Sequence, residues 1–155
     1  MSSKTVSVPI GIAWVAMVAI GASRASQSSG YEIVSGAGKC LDVHAPEQTT
    51  DGGRVQVWDC NGAQQQRWMV VGEEIRSGAG LCLDVEEPNQ YNNGARVQVW
   101  GCNGGRQQRW TVLDDQIRSG AGLCLDVHEP DQYNNGARVQ VWECTGAQAQ
   151  KWRLR

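Results

Sequence analysis

Short runs of alternating apolar and polar residues, separated by glycines, recur from residue 31 to residue 155. In the run VQVW, which ends at Trp58, the two valines fall on one face of an extended strand and the other two residues on the opposite face. In the run CLDV, which ends at Val43, the same period turns Leu41 inward and Asp42 outward. No stretch of useful length carries the apolar stripe of an amphipathic helix. The alternation therefore predicts an all-β fold of twelve short strands.

The strand pattern occurs three times at a constant interval of 42 residues, and Ile33, Ile75 and Ile117 open the three copies. Each copy reads I-x-S-G-A-G-x-C-L-D-V, a polar loop with one proline, G-x-R-V-Q-V-W-x-C, and then Q-x-W. Units of this size cannot bury an apolar face alone, so the repeat predicts one symmetrical domain with four strands from each copy. The three repeats are residues 33–74, 75–116 and 117–155.

The chain begins with an apolar segment that the repeats do not include. This segment carries no charge between Thr5 and Ser23, Lys4 precedes it, and small residues follow at Ala22 and Ala25. A basic start, an apolar run and small residues near its end are typical of a secretory signal peptide. An uncleaved anchor is the alternative, because the run approaches the length of a membrane-spanning helix. The predicted division is a signal peptide at 1–25, a short linker at 26–30 and a mature domain at 31–155, which is not expected to insert into a membrane.

Composition and charge exclude several classes of function. The chain has 14 basic and 16 acidic residues, a net charge of -2, and 41% hydrophobic residues, so it has neither a disordered composition nor the basic surface of a nucleic-acid-binding protein. It contains seven tryptophans and three tyrosines but no phenylalanine. Tryptophan and tyrosine are rigid, amphipathic rings, so this balance favours surfaces that stack on a ligand.

Six cysteines occupy two equivalent positions in each repeat. Six cysteines allow about 15 pairings in general, and the repeat symmetry together with the export signal favours pairing within each copy. Each bridge closes about twenty residues and stabilises the fold by roughly 3 kcal/mol in the loop-entropy model. Zinc sites use shorter cysteine spacings, so no metal or other cofactor is expected. The predicted bridges are Cys40–Cys60, Cys82–Cys102 and Cys124–Cys144.

The Q-x-W motifs, preceded in each repeat by C-L-D-V and V-Q-V-W-x-C, resemble those of the ricin B-type lectins. The resemblance covers residues 31–155 and rests on three motifs at constant spacing. It implies a β-trefoil, in which six strands form a short barrel, six form hairpins that cap one end, and a pseudo-threefold axis relates the repeats. It also implies that the motif tryptophans are core residues, namely Trp68, Trp110 and Trp152.

In that family each repeat can hold a shallow sugar pocket. Its parts are an aspartate after the first cysteine, a glutamine and an aromatic ring before the second cysteine, and polar residues at the start of Q-x-W. In this sequence they are Asp42, Gln56, Trp58, Gln65 and Gln66 in the first repeat, Asp84, Gln98, Trp100, Gln107 and Gln108 in the second, and Asp126, Gln140, Trp142 and Gln150 in the third. The third repeat has Ala149 where the others have Gln65 and Gln107, so it lacks one polar partner.

Four further residues lie near the expected pockets. Asn61 and Asn103 directly follow the second cysteine of their repeats, and Tyr91 and Tyr133 occupy the polar loops. The asparagines are expected to help bind a sugar. The tyrosines are expected either to widen selectivity or to pack the loop.

These residue types suit a sugar because a pyranose offers both hydroxyls and a patch of C–H bonds. An exposed indole can stack on the C–H patch, and an ionised carboxylate can accept two hydroxyl hydrogen bonds. The Q-x-W glutamines are expected either to orient the carboxylate or to touch the sugar. The structural alternatives are that the aspartates cap a turn and that the outward tryptophans cover the adjacent disulfide.

The sequence therefore predicts an exported, non-catalytic, trivalent carbohydrate-binding protein whose partners are glycans or polysaccharides. Galactose-type sugars are the first expectation, because each site pairs an aspartate with a tryptophan. No nucleophile motif or phosphate-binding glycine loop occurs, and the paired carboxylates fall in turns between repeats. Two alternatives stay open, namely a module that targets a xylan-type polysaccharide and a protein-binding trefoil such as a protease inhibitor.

Overall fold

The computed structural model describes residue 5 and residues 30–155. The predicted signal peptide and linker therefore lie outside the described residues, apart from Thr5 and Gly30. The described part of the chain contains twelve β-strands and five single turns of 3₁₀ helix. Within it, no helix has both the length and the apolar character that a membrane span requires.

Four strands come from each repeat, as the alternation predicts. The first repeat contributes β1 (Ile33–Ser35), β2 (Cys40–Val43), β3 (Gly53–Trp58) and β4 (Trp68–Val71). The second contributes β5 (Glu74–Ser77), β6 (Cys82–Val85), β7 (Ala95–Trp100) and β8 (Trp110–Leu113). The third contributes β9 (Gln116–Ser119), β10 (Cys124–Val127), β11 (Ala137–Trp142) and β12 (Trp152–Leu154).

The third strands of the repeats form a closed triangle at the centre of the fold. Strand β3 pairs with β7, β7 pairs with β11, and β11 pairs with β3, all antiparallel. Each of them also forms a hairpin with the strand before it, β2 with β3, β6 with β7 and β10 with β11. Strands β4 and β5, β8 and β9, and β12 and β1 pair across the repeat boundaries. The predicted all-β, pseudo-threefold β-trefoil is confirmed.

The core lies inside this closed arrangement and draws the same side chains from each repeat. The inward leucine and valines of the CLDV and VQVW runs are fully buried. The Q-x-W tryptophans are also buried, and Trp68 has no exposed surface. Each indole N–H donates to the backbone carbonyl of a core leucine, so the ring fills the core without leaving a polar atom unpaired. The three bonds are Trp68 to Leu41 (2.9 Å), Trp110 to Leu83 (2.8 Å) and Trp152 to Leu125 (2.9 Å).

Three disulfides fasten the hairpins of the central triangle, and each lies within one repeat. The bridges join Cys40 to Cys60, Cys82 to Cys102 and Cys124 to Cys144, with Cα–Cα distances of 5.0, 5.1 and 5.1 Å. In the first repeat the strand register sets Cys40 directly opposite Trp58. The bridge therefore holds the chain two residues beyond the tryptophan that the sequence assigns to the sugar site.

Candidate functional site

Strand register places the aspartate of each candidate site opposite a glutamine. Asp42 on β2 faces Gln56 on β3, and the second and third repeats have the same register. The Gln56 amide donates from Nε2 to Asp42 Oδ1 at 2.9 Å. The equivalent bonds are Gln98 to Asp84 (2.9 Å) and Gln140 to Asp126 (2.8 Å).

The Q-x-W glutamine holds the aspartate from its other side. In the first repeat Gln66 ends the 3₁₀ turn Gln64–Gln66, and its Nε2 donates to Asp42 Oδ2 and to the Asp59 carbonyl, both at 3.0 Å. Its Oε1 accepts from the Asn61 N–H at 2.9 Å. Because Gln66 is fully buried and every polar group on its side chain is engaged, it orients the carboxylate and offers no surface to a ligand.

The Q-x-W glutamines of the other two repeats make similar hydrogen bonds, with one variation. Gln108 donates to Asp84 Oδ2 and to the Gly101 carbonyl, both at 3.0 Å. Gln150 donates to the Glu143 carbonyl at 2.8 Å, and its amide also faces Asp126 and lowers the pKa of that carboxyl. Both glutamines are fully buried, as Gln66 is.

The three aspartates lie in a shielded environment rather than on an open strand face. The sequence pattern turns them outward, but the two glutamines cover that face, and only 3 to 7% of each aspartate is exposed. Burial raises the pKa of Asp42, Asp84 and Asp126, and the glutamine amides offset part of that rise. The nearby carboxylate of Glu87 raises the pKa of Asp84 further. Each site therefore holds a single oriented acceptor whose charge is poorly solvated.

The aromatic residue of each site stands at the surface beside this acceptor. Trp58, Trp100 and Trp142 end strands β3, β7 and β11 and are 40, 41 and 38% exposed. An indole with one face free and an oriented acceptor beside it can stack on the apolar face of a ligand while the acceptor receives its hydroxyls.

A glycine from another repeat lies against each of these indoles. Gly52, Gly94 and Gly136 have φ near +85°, and a side chain at these positions would meet the six-membered rings of Trp100, Trp142 and Trp58 at 3.6 to 3.8 Å. The loop of the first repeat therefore borders the second tryptophan, that of the second borders the third, and that of the third borders the first.

The residue before each glycine anchors the loop to its neighbour. Asp51 Oδ1 accepts from the Gly101 N–H at 2.7 Å, directly after Trp100 in the next repeat. Asn93 binds the Glu143 N–H at 2.7 Å, and Asn135 binds the Asp59 N–H at 2.8 Å. We call each exposed indole, Trp58, Trp100 or Trp142, a platform. The surroundings of each platform thus come from two repeats.

The structure brings most of the predicted residues of the second repeat into one pocket of about 380 Å³. Its lining residues include Asp84, Gln98, Trp100, Asn103 and Gln107. Two acidic residues that the sequence analysis did not assign to the site, Glu86 and Glu87, complete the wall. Their position directly after C-L-D-V is the sequence signal that would have found them.

The third repeat forms a comparable pocket of about 340 Å³ with a different wall. It contains Asp126, Gln140, Trp142 and Gln150, and Ala149 stands where the second repeat has Gln107. The residues after C-L-D-V are here His128 and Glu129, which the sequence analysis also did not assign. In the first repeat His44 and Ala45 occupy the corresponding positions.

The secondary candidates divide into turn residues and exposed loop residues. The Asn61 side chain accepts from the Ala63 N–H at 2.9 Å, and Asn103 accepts from the Gly105 N–H at 2.8 Å, so both stabilise the turn before the Q-x-W motif. Gln65 is half-buried beside the buried Gln66. Tyr91 and Tyr133 are each 58% exposed and do not line the pockets of about 380 and 340 Å³.

One cluster of metal-ligand residue types occurs in the described part of the chain. Ligand atoms of Glu74, Cys82 and Cys102 lie within 4.8 Å of one another. Because the two sulfurs are joined in a disulfide, they have no thiolate to offer a metal.

We expect the raised pKa of the three aspartates to make ligand binding sensitive to acid. Their ordinary pKa is 3.8, and in the folded protein protonation begins at higher pH. Below the raised pKa, an acceptor that must be ionised loses about tenfold in affinity per pH unit. The unfolded chain binds these protons less tightly, so the contribution of the aspartates to the free energy of unfolding rises as the pH falls from the raised pKa to 3.8.

Binding and stability should therefore move in opposite directions over this pH range. Tryptophan fluorescence titrations and thermal melts across about pH 3 to 7 measure the two quantities in the same samples. The same measurements are made on a variant with all three aspartates changed to asparagine. The difference in affinity and in stability between parent and variant gives the contribution of these aspartates, separate from that of the other carboxyl groups. Unchanged affinity in a folded protein down to pH 3.8 would contradict the assignment of these aspartates as acceptors.

Comparisons with known proteins agree with this geometry. The model of the ricin-type beta-trefoil lectin domain matches residues 29–152. The designed threefold symmetric protein ThreeFoil is 29% identical with a TM-score of 0.71, over 80% of this chain and 96% of its own. The exo-beta-1,3-galactanase 1,3Gal43A from Clostridium thermocellum is 27% identical with a TM-score of 0.70, over 83% of this chain and 30% of its own.

A further similar structure was solved with a sugar. It is a non-toxic homologue of type II RIPs from Momordica charantia (bitter gourd) in complex with alpha-methyl-D-galactoside. It is 25% identical with a TM-score of 0.68, over 80% of this chain and 46% of its own. The comparison with curated proteins found no match.

Proposed function

Because the chain belongs to the family of ricin-type β-trefoil lectin domains, we propose that it is a secreted, non-catalytic, multivalent carbohydrate-binding protein for galactose-type sugars. Domains of this family are generally binding modules without catalytic activity. The family supports carbohydrate binding as such, and the sugar class, the valency and the export are the proposal.

The observation that carries the proposal is the constellation that all three repeats share. Each has a buried aspartate facing a glutamine amide on either side, next to an indole that is about two-fifths exposed. A turn cap has no need of a second glutamine, and a tryptophan that only covers a disulfide has no need of an oriented carboxylate beside it. A sugar uses both groups, because its C–H face stacks on the ring while its hydroxyls donate to the carboxylate.

Galactose-type sugars suit this pairing. Their axial hydroxyl leaves one ring face free of polar groups for stacking, and the neighbouring hydroxyls diverge from that face toward a carboxylate at its edge. A galactoside bound to the similar protein from bitter gourd supports this choice.

Three equivalent constellations support the proposed multivalency. A shallow pocket for one sugar binds at about millimolar strength, or roughly -4 kcal/mol. Engagement of two or three pockets by one branched glycan or polymer raises the avidity by about a hundredfold or more. The three disulfides suit an oxidising, extracellular compartment, which supports the proposed export.

Polysaccharide targeting is the second candidate function. The galactanase contains a region similar to this chain that makes up 30% of its length, so an enzyme that degrades a polymer carries a domain of this kind. The alternative therefore places the three pockets along a xylan-type or galactan-type polymer. Pull-downs on insoluble xylan and on beta-1,3-galactan, beside soluble glycans, separate the two candidates.

The deciding experiment is a glycan array on the oxidised protein. We expect galactose-terminated glycans to be bound, and a variant with Asp42, Asp84 and Asp126 changed to asparagine to lose at least about tenfold in affinity, because hydrogen bonds to a charged acceptor are the stronger ones. The variant Asp115→Asn is the matched control, because Asp115 is an exposed carboxylate in a turn between repeats.

Three outcomes would count against the proposal. Absence of glycan binding by a folded parent protein would overturn it, and so would equal binding by parent and triple variant. Binding to a protein partner that free galactose and xylose do not compete would instead favour a protein-binding trefoil. Thermal melts of all variants establish that they are folded.

A further inference from the structure

A further cavity, of about 500 Å³, adjoins the third-repeat pocket. We propose that it is a subsite for the adjoining sugar unit of an oligosaccharide whose first unit stacks on Trp142, an inference that rests on the proposed function. We call it the adjoining cavity. Its lining residues are His128, Asp131, Asn134, Asn135, Gly136, Ala137 and Arg138.

The adjoining cavity shares a wall with the third-repeat pocket. His128 lines both, so a ligand that fills both spaces lies against this residue in each of them. Its lining also includes Gly136, the glycine that borders Trp58 of the first repeat. The cavity therefore lies beside both the third-repeat pocket and the glycine that borders Trp58.

A chain of two hydrogen bonds, which we call the relay, joins the adjoining cavity to Asp126, the acceptor of the third-repeat pocket. Arg138, in the cavity wall, donates to Gln140 Oε1 at 3.0 Å, and Gln140 donates to Asp126 Oδ1 at 2.8 Å. The arginine thus fixes which end of the Gln140 amide faces the aspartate. Occupation of the two spaces is expected to be coupled, because one side chain orients groups in both.

The chemistry of the adjoining cavity suits a neutral, hydroxyl-rich ligand. Asp131 and Arg138 offer both signs of charge, with His128 paired to Asp131 at 3.3 Å. The Asn134 side chain is exposed, so its amide can donate and accept hydrogen bonds. No aromatic ring lines the cavity within the described residues, so recognition there is by hydrogen bonds and stacking is left to Trp142.

The relay is particular to the third repeat within the described residues. The second repeat has Arg96 at the position of Arg138, but Arg96 donates to the Gly52 carbonyl of the preceding repeat at 2.7 Å. It also has Glu86 in place of His128. We therefore expect the subsite in the third repeat and use the second as an internal comparison.

Nuclear magnetic resonance on the ¹⁵N-labelled, oxidised protein tests the inference site by site. The probes are two pairs of sugars, galactose with lactose and xylose with xylobiose. The indole N–H signal of Trp142 reports binding in the third-repeat pocket. The side-chain signals of Asn134 and His128 report binding in the adjoining cavity. We expect one disaccharide to shift all of these signals with a single Kd, and its monosaccharide to shift the Trp142 signal without that of Asn134.

The variant Asn134→Ala is expected to lower the ratio of disaccharide to monosaccharide affinity at Trp142 about fivefold, the effect of one lost hydrogen bond. Asn92→Ala, the same change at the equivalent position of the second repeat, should leave this ratio at Trp142 unchanged. If the Trp142 signal moves with a disaccharide while Asn134 and His128 stay silent, or if Asn134→Ala leaves the ratio unchanged, the subsite is overturned and the proposed function stands. If no indole signal moves with any of the four sugars, the proposed function fails and the subsite fails with it.

Discussion

Changing Trp68 to alanine is expected to lower the free energy of unfolding by about 3 to 5 kcal/mol, because a large and fully buried side chain is removed. Trp68 has no exposed surface, so its removal leaves a cavity in the core. It also deprives the Leu41 carbonyl of the indole N–H that binds it at 2.9 Å. Denaturant unfolding with the disulfides intact measures the change.

Two comparison variants divide this effect into its parts. Trp68→Phe keeps most of the ring but cannot donate to the Leu41 carbonyl, and it is expected to cost about 1 to 3 kcal/mol for the unpaired buried oxygen. Trp58→Ala removes the same side chain from a position that is 40% exposed and should cost much less. Equal destabilisation by Trp68→Ala and Trp58→Ala would contradict the separation of core and platform tryptophans. The need for this N–H gives one physical reason why tryptophan rather than phenylalanine fills these positions in a chain with no phenylalanine.

Changing the three platform tryptophans, Trp58, Trp100 and Trp142, to alanine together is expected to abolish measurable binding to a multivalent glycan while the protein stays folded. Loss of one stacking surface costs on the order of 2 kcal/mol, or about thirtyfold, at each pocket. Because a polymer engages several pockets, the losses multiply, and the avidity gain disappears with them. Surface plasmon resonance on an immobilised galactose-bearing polymer measures the effect.

The matched control for the triple tryptophan variant is a change at another exposed apolar residue. Leu113 is 46% exposed, similar to the platform tryptophans, but it ends β8, away from the pockets. Leu113→Ala is expected to leave binding unchanged, which separates loss of a stacking surface from loss of exposed apolar area in general. Single variants at Trp58, Trp100 and Trp142 then rank the pockets. Full polymer binding by the folded triple variant would show that the indoles are not the platforms.

Much of the fold was predictable because its signals are local. The period-two alternation requires only that neighbouring side chains point to opposite faces of a strand, and the twelve strands follow that pattern. The constant repeat interval predicts equivalent positions for equivalent residues, and the structure pairs Cys40 with Cys60 within one repeat as that symmetry implies. Trp58 also lies at the surface, on the face that its parity gives it.

The environment of the site was less predictable. Strand parity gives the face of the strand on which a side chain lies, but it does not show which other residues pack over that face. Asp42 and Gln56 do share the face opposite the core valines, but they are buried there, since Gln66 folds over them from a turn 24 residues beyond Asp42. Parity therefore predicts neither the raised pKa of the aspartate nor the positioning role of Gln66. The residues after C-L-D-V were missed as pocket residues for a similar reason, since their part in the wall depends on how the loop turns.

By itself, the sequence predicted the three repeats, the strands within each, the pairing of cysteines within a repeat and the outward face of Trp58, Trp100 and Trp142, because all of these follow from the pattern of one repeat and its recurrence along the chain. Only the tertiary structure decided that each platform is completed by another repeat. The closed triangle of β3, β7 and β11 sets Gly136 against Trp58 and Asn135 against the backbone of Asp59, contacts between residues about half the chain apart. A local pattern cannot contain such contacts, because they exist only once the three repeats close around their common axis.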